Sequence, residues 1–257
     1  MKANKALVAA VSVCLGVTVL AGCGNDSDKG SDKGSDKNAG KGSEKAFDGK
    51  SADEIAADAV KATRDAPSVR VKGNVRQPGG NVIRVDFQVD DQDRCTGTMT
   101  GQGAKADVIQ VGQAAYVRGD EKFWQNALKG QPGAEKTIPK VQGKWVKSQP
   151  GQAGIEGMCD KQAFLASMDS DKSERKGMTK GDTGEVDGMK AVALEKKQPG
   201  GEKITTYVAA EGKPYILKSV TEGGKQPGEV TLTDYGKKVD AKTPPADQTV
   251  DPKVSKS

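Results

Sequence analysis

The chain has 257 residues, of which 29% are charged, 34% apolar and only 4% aromatic, so part of it lies outside any packed core. It contains no histidine, which excludes Ser-His-Asp hydrolases, Cys-His proteases and His-liganded zinc or iron sites. Its net charge of +5 arises from 40 basic and 35 acidic residues interspersed along the chain, so no basic stripe marks a nucleic-acid surface.

Lys2 and Lys5 precede an apolar run at 6–20. The run is shorter than the ~20 residues a bilayer span needs, but it suits a secretory signal. It ends in Leu20, Ala21, Gly22 and Cys23, a tetrapeptide that resembles the bacterial lipobox. The resemblance implies that 1–22 is a lipoprotein signal peptide and that Cys23 receives a diacylglyceryl group. Two acyl chains would then anchor the protein stably at the extracytoplasmic face of the cell membrane. Residues 23–47 carry tandem SDKG repeats with acids and lysines in balance. Such a stretch buries too little apolar surface to offset its ordering entropy, and it reads as a disordered tether with a mean span of roughly 26 Å. Asp26, Asp28 and Asp32 alternate, but lysines follow the clusters and no Glu closes a calcium loop.

The candidate folded region is 48–240. Ser51 and Glu54 form a capping-box pattern, with Asp53 also suited to the positive helix end, and Ile55, Ala59, Ala62 and Ala66 follow at helical spacing until Pro67. From Val69 the period changes to two. Val69, Val71 and Val75 share one face, as do Ile83, Val85, Phe87 and Val89, with Arg84, Asp86 and Gln88 opposite. Further strands are expected at 95–100, 106–111, 114–118, 144–147, 190–196, 204–209, 215–220 and 229–235. Short helices are expected at 121–129 after Asp120 and at 161–169 after Asp160, each led by an N-capping Asp. QPG occurs five times, from Gln77, Gln131, Gln149, Gln198 and Gln226, at unequal spacings. It reads as a turn device, because Pro then Gly suits the centre of a type II turn. Residues 241–257 are polar and Pro-bearing, and read as a disordered tail. Periodicity alone supports an antiparallel, sheet-dominated domain, α+β or all-β.

With Cys14 in the leader and Cys23 acylated, Cys95 and Cys159 remain. In an exported protein an isolated pair most simply forms one disulfide; two free thiols are the alternative, and neither lies in a CxxC. The chemical search yields no catalytic constellation, no metal site and no cofactor motif. Ser173 and Lys176 have the Ser-x-x-Lys spacing but lack companion SDN and KTG elements. Residues 101–106, GQGAKA, sit between strands, where no helix N-terminus faces a phosphate. Asp90, Asp91 and Asp93 read as a polar link rather than a cation site. Phe123, Trp124 and Trp145 are the concentrated aromatic residues, with core packing and the lining of an apolar cavity both open. The chain is not expected to be an enzyme.

The segments SVRVKG at 68–73, the strand at 82–89, CTGT at 95–98, VIQVGQAAYVRG at 108–119 and KWV at 144–146 recur in the order found in actinobacterial lipoproteins. Over roughly 50–236 the chain resembles lipoproteins of the LppX/LprG type, related to LolA-like carriers. The resemblance implies a curved antiparallel half-barrel, with an N-terminal helix and short helices against its concave face. It also implies a cavity for acyl chains and binding or carriage of a lipid or lipoglycan. From the apolar faces, the candidate cavity residues are Ile55, Ile83, Val85, Phe87, Val108, Phe123, Trp124, Phe164 and Leu165. The other reading is a tethered interaction or sensory module without a lipid ligand, in which an exposed loop at 130–152 or 169–186 meets a membrane or cell-wall protein.

Overall fold

A computed structural model describes residues 47–76, 80–148, 159–168, 176–224 and 227–251. The chain divides into two units, Met1–Asn38 and Ala39–Ser257, and all described residues belong to the second. Cys23, the tether before Phe47, Ser173 and the QPG copies at 77 and 149 lie outside the described residues.

Helix α1, Ala52–Asp65, starts where its capping box dictates. Ser51 Oγ accepts from the Glu54 amide at 3.3 Å, and the Ser51 amide donates to Glu54 Oε2 at 2.7 Å. That amide holds the Glu54 carboxyl below the usual carboxylate range. The extended backbone of Ala66 and then Pro67 end the helix.

All ten expected strands are present, and they belong to one sheet. The first six run as a meander: β1 Ser68–Arg76, β2 Val82–Asp90, β3 Arg94–Gly101, β4 Ala104–Val111, β5 Ala114–Gly119 and β6 Trp145–Ser148. Helices α2 (Glu121–Ala127) and α3 (Ala134–Val141) fill the connection between β5 and β6. Helix α4, Lys161–Met168, precedes a second meander of β7 Thr179–Val186, β8 Met189–Lys197, β9 Lys203–Ala209, β10 Ile216–Glu222 and β11 Gly228–Thr233. A last short strand, β12, is Thr249–Val250. The two meanders join where β11 pairs with β1, giving the order β12-β6-β5-β4-β3-β2-β1-β11-β10-β9-β8-β7. Every pairing is antiparallel except that of β12 with β6. The sheet is curved and does not close, as a half-barrel requires. Among the described residues no helix is long and apolar enough to cross a membrane.

Several expectations are corrected. Residues 241–251 do not form a loose tail: Pro244 is buried, and β12 extends the sheet at its β6 edge. The folded region begins one residue earlier than expected, because Phe47 belongs to the main hydrophobic core. The segment 130–152 contains α3 and β6, and 169–186 contains β7, so neither is simply an exposed loop. QPG at 131–133 leads into α3, whereas the copy at 198–200 makes the β8–β9 turn, closed by the Gln198 amide donating to the Glu202 carbonyl at 2.7 Å.

Candidate functional site

The pairing register converts the period-two pattern of the strands into rows of side chains across the sheet. On the helix-covered face one row runs Leu232, Val71, Phe87, Gly97, Val108, Val117 and Val146, crossing seven strands. The neighbouring row runs Val230, Gly73, Val85, Met99, Ala106 and Gly119. Small residues in these rows make room for the aromatic rings. A Cβ on Gly97 would lie 2.6 Å from Phe87 Cδ1, and one on Gly119 would lie 2.2 Å from Phe123 Cδ1. Glycine at these sites lets a ring lie on bare backbone, and it relieves crowding on the inner side of a bent sheet.

The helices seat their apolar residues on this face. Asp120 caps α2 by accepting from the Phe123 amide at 2.7 Å, and Phe123 meets Trp124 edge to face at 5.0 Å. Helix α4 carries Phe164 and Leu165, and Asp160 Oδ1 accepts from the Ala163 amide at 2.9 Å at its start. Two bonds fix α4. Cys159 forms a disulfide with Cys95 at the head of β3, with Cα atoms 5.4 Å apart. Lys161, 3% exposed, donates from Nζ to the carbonyls of Arg64 and Ala66 at the end of α1. There the ammonium meets the negative end of the helix. Helix α1 is anchored at both ends of its own length. Asp53 accepts from the Gly177 and Met178 amides at 3.0 Å each, and Thr63 Oγ1 accepts from the Ile216 amide at 3.0 Å. The Tyr235 hydroxyl donates to the Ile216 carbonyl, and burial pushes this phenol well above its ordinary pKa.

All nine residues singled out from the sequence meet in one hydrophobic cluster. Ile55, Val85, Phe87, Val108, Trp124 and Leu165 are buried, while Ile83, Phe123 and Phe164 are partly buried against them. The cluster also takes in Phe47, Val71, Val117, Leu194, Val208 and Leu232, none of them among the candidate cavity residues. The alternation of their own strands was the signal that could have found Val71, Val117 and Leu232. Trp145 stands apart from the other aromatics. It lies under the Arg118 guanidinium, 4.6 Å from its carbon to the ring centre, and Arg118 alternates with Val117 toward the opposite face.

Over β1–β4 and β11 that opposite face is polar, whereas over β7–β10 it carries a second apolar cluster of Val186, Ala191, Ala209 and Leu217. Arg70 grips Asp86 through two bonds of 2.7 and 2.9 Å, and this pairing raises the guanidinium pKa further. A groove of about 560 Å³ lies here, lined by Lys72, Arg84, Asp86, Thr98, Lys105 and Glu229 among others. Asp90 is occupied by the β2–β3 turn: it accepts from the Gln92 and Arg94 amides and pairs with Arg94 Nε at 2.6 Å.

No protein-family model matches the sequence, and no curated protein matches it. Solved structures do match in fold. LprF from Mycobacterium bovis aligns with a TM-score of 0.50 at 17% identity, over 75% of this chain and 96% of that one. The Mycobacterium tuberculosis lipoprotein LppX aligns with a TM-score of 0.47 at 12% identity, over 74% and 97%. The half-barrel expected from the sequence resemblance is thus the fold found, and it is the fold of LprF.

Proposed function

We propose that this chain is a lipoprotein of the extracytoplasmic membrane face, anchored through Cys23, that binds or carries an acylated lipid against the helix-covered face of its sheet. The observation that carries the reading is the continuous apolar surface across seven strands, roofed by helices α1, α2 and α4. Acyl chains are recognised by apolar area rather than by directional bonds, and a broad row of Val, Phe and Leu offers that area. The LprF-like fold supports the reading. The lipobox supports the anchor, and a tethered binder near headgroups has its ligand at hand. In this reading α4 and α2 cover the ligand, Ile83, Phe123 and Phe164 stand at the margin of that cover, and the ligand is transferred without covalent chemistry.

The test is native mass spectrometry of the full chain carrying Cys23→Ser, purified from an actinobacterial host without detergent and then offered fluorescent acyl probes. A bound species of lipid mass, lost on organic extraction, is the expected result. A ligand-free mass together with no uptake of acyl probes would end this reading. Metabolic labelling with a radioactive fatty acid tests the anchor separately, the label being lost in Cys23→Ser.

A further inference from the structure

Among the described residues two buried side-chain nitrogens have no hydrogen-bond partner, Arg76 Nε and Trp124 Nε1. The Arg76 guanidinium still donates through another nitrogen to the Gly80 carbonyl at 2.8 Å. Trp124 has no such second outlet, because an indole carries a single donor and no acceptor. The residue is only 9% exposed and sits in the apolar cluster beneath the helices. Its position is fixed. Asp120 caps its helix, the Phe123 ring abuts it at 5.0 Å, and that ring is itself seated on the bare backbone of Gly119. Buried indole N–H groups ordinarily find an acceptor, and an orphaned one calls for an explanation.

We infer that Trp124 Nε1–H is the polar contact of the apolar site and donates to a neutral acceptor oxygen of the bound ligand, the carbonyl of an acyl ester. The inference rests on the acyl-binding reading above and adds the one directional bond that reading lacked. A hydrocarbon chain would leave the donor unpaired. A carboxylate or phosphate oxygen would bring a charge into the cluster, where it needs a cation beside it. The buried cation on this side, Lys161, is already held by the Arg64 and Ala66 carbonyls at the end of α1. A neutral carbonyl on an aliphatic chain satisfies the donor without that demand.

The test uses the full chain carrying Cys23→Ser, labelled with ¹⁵N, and two probes that differ at the ester: methyl palmitate and hexadecane. Methyl palmitate is expected to move the Trp124 indole proton downfield, while hexadecane leaves it in place. The Trp145 indole, on the other face, is the internal control. Trp124→Phe is expected to weaken methyl palmitate about fivefold more than it weakens hexadecane, the excess being the worth of one net hydrogen bond. If the ester binds with the Trp124 resonance unmoved, or if Trp124→Phe weakens both probes alike, the inference falls and acyl binding stands. If neither probe binds, both fall. Should Trp124→Phe fail to fold, the indole shift in the unsubstituted ring decides alone.

Discussion

Replacing Cys95 and Cys159 together by alanine removes the covalent tie between the head of β3 and the approach to α4. The two positions are 64 residues apart in sequence, and both are buried, Cys95 fully and Cys159 to 4% exposure. Closing a loop of that length restricts the unfolded chain by about 4 kcal/mol on the chain-entropy relation. The folded state loses little in exchange, since Lys161 still holds α4 to the end of α1. In a domain of this size each kcal/mol moves the melting temperature by ~2–4 °C, so the double variant is expected to melt ~8–16 °C lower. Circular dichroism melts with a parallel urea titration measure this. An Ellman titration of the unreduced parent is expected to find neither Cys95 nor Cys159 as a thiol, whether folded or unfolded, and both only after reduction. A double variant melting within about 2 °C of its parent would refute the reasoning, because the loop would then add no constraint on the unfolded chain. Acyl binding provides a second readout: without the tie, Phe164 and Leu165 lose part of their hold on the sheet, and affinity is expected to fall as well.

Gly119→Ala places a methyl 2.2 Å from the Phe123 ring. The ring must move, and a loss of about 1–3 kcal/mol is expected in urea unfolding, with a changed Trp124 fluorescence spectrum. Lys161→Met keeps the stem but removes the ammonium from two α1 carbonyls. Equilibrium unfolding should show a loss of about 1.5–3 kcal/mol, and exchange protection at the end of α1 should fall first. The Tyr235 phenol is raised by burial, so the folded state keeps a proton that the unfolded state releases above its ordinary pKa near 10. Its contribution is therefore complete below about pH 10 and lost above it, with a slope of about 1.4 kcal/mol per pH unit. Urea melts between pH 9 and 11.5 are expected to show that slope flattened in Tyr235→Phe.

Much of the fold was legible because its signals are local. Ser51, Glu54 and Pro67 bound α1 from within a few residues, and Asp120 and Asp160 mark the starts of α2 and α4. Alternation in 82–90 assigns Val85 and Phe87 to one face and Asp86 and Gln88 to the other, as the cross-strand register has it. What escaped has a physical reason in each case. Strand β7 is an edge with mostly exposed residues, TKGDTGEV, and so shows no apolar alternation; its backbone pairing with β8 makes it a strand. Helix α3 contains Pro139, which argues against a helix locally, yet α3 is short and Val141 buries its end. Strand β12 is two residues long and exists through its pairing with Trp145 and Val146. The candidate site was legible as apolar faces but not as one surface. Seven strands drawn from both ends of the folded region contribute to its central row.

The sequence by itself set out the apolar run at 6–20 with its Leu20–Cys23 end, the polar repeats after Cys23, the strand alternation and the caps, because each is written within one turn or one hairpin. Only the tertiary structure decided that β11 returns to pair with β1, that Cys159 reaches Cys95, that Lys161 closes the end of α1, and that Trp124 is buried with its N–H unpaired while Trp145 faces the other way. Those outcomes depend on which residues distant in sequence share one side of a bent sheet, and that is set by strand order and register rather than by local propensity.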